Sequence, residues 1–98
     1  MELAFLAWNG VPLWGPIDAH EAAGRLRAIA STYGTFSAGE ILAAVPRRIQ
    51  LTLAGIPTAA AAGDVGMADL MTAGEPERSQ QALDDLVRRM PDIARHLE

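Results

Sequence analysis

Few residues in this 98-residue chain could do chemistry. His20-Glu21 opens like the helix of a zinc protease, where two imidazoles one turn apart hold the metal and the glutamate activates water. Here the place of the second imidazole is taken by Gly24. The other histidine, His96, stands near the far end of the chain and is expected to be solvated. There is no cysteine, which removes thiolate ligands and disulfides and leaves the redox compartment open. Ser31, Ser37 and Ser79 lack the strand-to-helix setting of a nucleophile elbow. Ser37 reads as a helix cap, and Ser79 lies on the polar side of the last helix. Asp84-Asp85 could act as acid and base, but adjacent helical residues diverge by about 100°. With Arg88 and Arg89 they make ordinary i,i+4 pairs on a solvated face. Gly63-Asp64-Val65-Gly66 has too few glycines and no lysine for a phosphate loop. No catalytic residue, metal site or cofactor is drawn from this inventory, and an enzyme is not expected.

Nucleic acid fares little better. The formal net charge is −4, the wrong sign for general binding to phosphates. Arg47-Arg48 is the one exposed basic doublet outside the last helix. A helix over 19–33, a short turn, a capped helix over 38–45 and an alternating segment beyond it resemble the opening of a winged-helix domain. That resemblance implies a DNA-binding regulator using Arg47 and Arg48. The chain departs from it after Pro46, where no helix carries the Arg, Lys, Asn and Gln of a recognition helix.

The elements themselves start with an apolar N-terminus. Asn9-Gly10 between Leu3–Trp8 and Val11–Trp14 is a strong hairpin signal, since a type I′ turn needs positive φ at both central residues. One face of that hairpin would carry Ala4, Leu6, Trp8, Val11 and Leu13. The other would carry Leu3, Phe5, Ala7, Pro12 and Trp14. Neither is polar, so both need cover. The open end joins the next helix at Gly15-Pro16, which assigns Phe5 and Trp14 to the core. Leu6, Trp8, Val11 and Leu13 are left as the partner-binding surface, with tryptophan a frequent interface anchor.

Helical signals dominate the rest. Asp18 with Glu21 forms a capping box for a helix over 19–33, with apolar positions at Ala22, Leu26, Ile29, Ala30 and Tyr33 and Gly34 as its stop. Ser37 with Glu40 forms a second box, stapled by Phe36 and Ile41, for a short helix ended by Pro46. Residues 47–56 fit either a third strand near 48–54 or a helix. Thr58 can cap a turn over Ala59–Ala62, and Asp64 a second turn through Met71. Pro76 opens a last helix whose stripe is Leu83, Leu86, Val87 and Met90, with Pro91 kinking or restarting it.

The expected fold is a single α+β domain over residues 1–98: an N-terminal hairpin, with or without a third strand, packed on two main amphipathic helices. The alternative is a mostly α domain with a hairpin arm. The expected function is non-enzymatic, a protein–protein interaction or assembly protein that uses the hairpin to bind a partner or a second copy. A small inhibitor of a larger enzyme and a DNA-binding transcriptional regulator are the alternatives. The chain is 50% hydrophobic, in the globular range. It has no apolar run near the roughly 20 residues that cross a bilayer and no basic n-region of a signal peptide. A cytoplasmic location follows. All basic residues are arginine, a high-GC habit that fits a phage or mobile-element gene.

Overall fold

The computed structural model describes residues 1–98. The chain forms five helices: α1 (Glu2–Gly10), α2 (Ala19–Tyr33), α3 (Ala38–Ala61), α4 (Val65–Thr72) and α5 (Glu75–His96). No strand forms, which corrects the α+β expectation: the hairpin and the third strand near 48–54 are both helix. The mostly α alternative is nearer, without its hairpin arm.

The N-terminal segment carries two periods at once because nearly every residue in it is apolar. Ala4, Ala7, Trp8 and Val11 recur at i, i+3, i+4 and i+7, and all four are buried. That is a helical stripe. A hairpin would have to cover two apolar faces, whereas the helix hides one stripe, packs Leu3 and Phe5 partly on the core and leaves Leu6 outside. The turn would also have needed positive φ at Asn9 and Gly10, yet positive φ occurs only at Gly34, Gly63 and Gly74. Asn9 instead ends a helix, its Nδ2 donating to the Phe5 carbonyl at 3.2 Å.

α2 occupies the expected residues. The Asp18 carboxylate accepts from the backbone N–H groups of His20 at 3.0 Å and Glu21 at 3.2 Å, and Gly34 closes the helix at φ 71°. The reciprocal half of the capping box is not made, because Glu21 pairs with Arg25 at 2.6 Å. At α3 both halves are present, each at 3.1 Å.

α3 does not stop at Pro46. Ile41, Val45, Ile49, Leu53 and Ile56 form one stripe across it, buried or packed on the core. An interior proline costs about 3 kcal/mol, while burying each large aliphatic side chain returns roughly 1.5–3 kcal/mol. Three such residues beyond the proline outweigh the lost rung. The turn expected at Ala59–Ala62 is the end of this same helix, and Asp64 then caps α4 by accepting from the Met67 N–H at 3.1 Å. In α5 the same argument applies at Pro91, since Ile93 beyond it is fully buried. Val87 leaves the expected stripe and is 49% exposed.

One cluster of 15 buried residues joins α1, α2, α3 and α5. No residue of α4 is buried. The envelope measures 45 × 25 × 16 Å, and no helix is long and apolar enough to cross a membrane.

Trp8→Ala should lower stability by about 3–5 kcal/mol, as other core aromatic truncations do. Asp18→Ala and Ser37→Ala should each lower it by about 1 kcal/mol. Chemical denaturation followed by far-UV circular dichroism checks both; midpoints untouched by either cap change would contradict the helix starts.

Candidate interaction surface

The segment joining α1 to α2 has no regular structure; its own N–H groups serve the Pro12 and Gly15 carbonyls, and those of Val11, Leu13 and Ile17 are left to other donors. Two arginines supply them. Arg25 of α2 donates from Nη1 to the Val11 carbonyl at 2.7 Å. Arg89 of α5 donates from Nη2 to the Leu13 carbonyl at 3.0 Å and from Nη1, more weakly, to that of Ile17 at 3.5 Å. Charged hydrogen bonds of this kind contribute about 1.5–3 kcal/mol each when shielded from water. Burial pulls the Arg89 guanidinium below the ordinary arginine range, although such a group stays charged. Within the segment, Val11 and Leu13 turn fully inward while Trp14 turns out and is 51% exposed.

Trp14 therefore stands on a backbone held from two helices. It separates two shallow hollows over α5. Gly15, Pro16, Asp85 and Arg88 line the first, and Asn9, Trp8, Arg78 and Ser79 line the second. The rims carry both signs of charge, with Arg88 paired to Asp85 and Arg78 paired to Glu75. An apolar ring with satisfied polar neighbours is suited to desolvation against another protein and has no proton-transfer chemistry of its own.

The residues assigned to partner binding from sequence do not form a surface together. Val11 and Leu13 are fully buried, Trp8 is 8% exposed, and only Leu6, at 39%, reaches the outside. The two tryptophans have exchanged the places expected of them. The stripe at 4, 7, 8 and 11 carried the signal for Trp8. Nothing local marks Trp14, because its orientation depends on a guanidinium 76 residues from the carbonyl it grips.

The other candidate residues are dispersed or engaged. The His20 and His96 rings meet edge-on, with centroids 5.5 Å apart, and Arg27 donates to the His96 carbonyl. No three His, Cys, Asp or Glu side chains converge in a way that could hold a metal. The expected Asp84, Asp85, Arg88 and Arg89 set is split: Gln80 donates to Asp84 at 3.0 Å, Arg88 takes Asp85, and Arg89 points inward. Of the Arg47-Arg48 doublet, Arg48 pairs with Glu2 at 3.3 Å and lies 4.8 Å over the Phe5 ring. Seven arginines have intramolecular partners; Arg47 alone has none. No protein-family model, curated protein or solved structure matches the chain.

Arg89→Met should destabilise the fold by about 1–3 kcal/mol by orphaning the shielded carbonyls, and should speed amide exchange across residues 11–17. Trp14→Ala should change stability by less than about 1 kcal/mol, as exposed sites do. Hydrogen exchange and denaturation midpoints measure the two, and a large loss of stability in the tryptophan variant would contradict its surface placement.

Proposed function

We propose that this chain is a non-enzymatic interaction or assembly module that acts in the cytoplasm and binds a protein partner through Trp14. The observation that carries this reading is the tryptophan's mounting: half-exposed, on an irregular segment whose carbonyls are held by Arg25 and Arg89. A backbone held before binding loses little conformational freedom on association, and tryptophan is among the residues most enriched at interface hot spots. The distribution of arginine supports a protein partner over nucleic acid. A phosphate-binding face needs free cations, and here the guanidinium groups hold carbonyls and carboxylates of the chain itself.

Affinity capture from the native host with wild type and Trp14→Ala tests the reading. The variant should keep the wild-type circular dichroism and lose its partner by about 2 kcal/mol or more, the range of a hot spot. Full retention of every captured partner by a folded Trp14→Ala protein would overturn it. So would sub-micromolar, salt-sensitive binding to a defined DNA duplex that Arg47→Ala abolishes.

A further inference from the structure

The molecule has an open apolar groove near one end and an exposed valine on the outer side of α4 near the other. In the groove, Leu42 and Ala43 of α3 face Val87, Met90 and Pro91 of α5. α4 packs on α3 and α5 and leaves Val65 of its outer side 72% exposed. Ala61, where α3 gives way to the loop before α4, lies about 27 Å along the helix axis from Ala43 at 1.5 Å per residue. A chain therefore cannot place its own α4 in its own groove.

Charge matches the two features to one another. Arg47 follows Ala43 by one turn on the same side of α3 and is the arginine without an intramolecular partner. Asp69 follows Val65 by one turn on α4, is exposed, and makes no ion pair or side-chain hydrogen bond. Both apolar-to-charged spacings are four residues, about 6 Å along each helix. With Val65 set against Ala43 and Val87, Asp69 comes level with Arg47.

We infer that α4 of one copy docks in the α3–α5 groove of a second copy, with Asp69 of the first pairing to Arg47 of the other. The contact joins different surfaces of the two chains, so every copy keeps a free groove or a free α4 for the next. Such head-to-tail contacts generate rings or filaments rather than a self-limiting dimer. This inference is independent of the Trp14 reading, since Trp14 lies in neither surface.

Sedimentation velocity of the full chain across tens to hundreds of micromolar tests it. Wild type should grow with concentration beyond a dimer. Arg47→Glu alone and Asp69→Arg alone should each raise the concentration needed for assembly by about tenfold or more through like-charge contact. Mixed in equal amounts, the two variants should again assemble beyond a dimer, because the Asp69–Arg47 contact and its charge-reversed counterpart alternate along the array. The double variant R47E/D69R should recover extended assembly. Val87→Asp should abolish assembly while leaving the denaturation midpoint unchanged, and Trp14→Ala should leave assembly intact. A wild type that stays monomeric at several hundred micromolar would overturn the inference, as would single variants that assemble normally or a mixture that fails to pair.

Discussion

The fold depends on one unbroken stripe along α3. Ile41, Val45, Ile49, Leu53 and Ile56 present a single apolar seam through Pro46, and every other helix packs against this element. If the proline ended the helix, the stripe would split into two short pieces that could not both face the same neighbours. Continuity over 24 residues gives α1, α2 and α5 a common wall about 36 Å long. The lost backbone bond is a local cost. The seam is a tertiary gain shared by several partners, and it is larger.

Charge is spent on geometry in this chain. Arg25, Arg27 and Arg89 each donate to a backbone carbonyl far from their own helix turn. Arg78, Arg88 and Arg95 hold carboxylates one turn away, and Arg48 holds that of Glu2 in α1. Guanidinium suits this work because its planar fork can serve a carbonyl from a partly buried position without losing its charge. A sequence with no lysine and a modest number of arginines can thus have an ordinary composition and still offer solvent few free cations. The surface that remains is defined by apolar groups left uncovered, Trp14 on one side and Val65 of α4 with the α3–α5 groove at the two ends.

What could be read in advance divides by how local its cause is. The starts at Asp18, Ser37 and Asp64 and the stop at Gly34 were legible because capping chemistry acts within four residues. The N-terminal segment is ambiguous in sequence because an all-apolar run satisfies period 2 and period 3.6 together, and Asn9-Gly10 signals a turn whose φ values the chain does not adopt. Pro46 was given its local meaning, while burial beyond it decided the outcome. Val87 fell on the correct helix but on the wrong side of the stripe by part of a turn. Trp14 was not readable at all, because the group that orients it lies in another helix. The arginine contacts, and with them the candidate surface, are properties of the assembled fold.

The chain reverses direction in two different ways. At Gly34, Gly63 and Gly74 the reversal is a left-handed glycine, available as soon as those few residues exist. The first reversal, over residues 11–17, has no such glycine; beside the local backbone bonds of Leu13, Gly15 and Ile17 it is held by Arg25 and by Arg89, whose carbonyl partners lie 72 and 76 residues back along the sequence. During synthesis residues 11–17 therefore lack two of their carbonyl contacts until α5 has been made. The mounting beneath Trp14 is finished only when α5 has packed, so the rigidity of this face follows the docking of a helix distant in sequence.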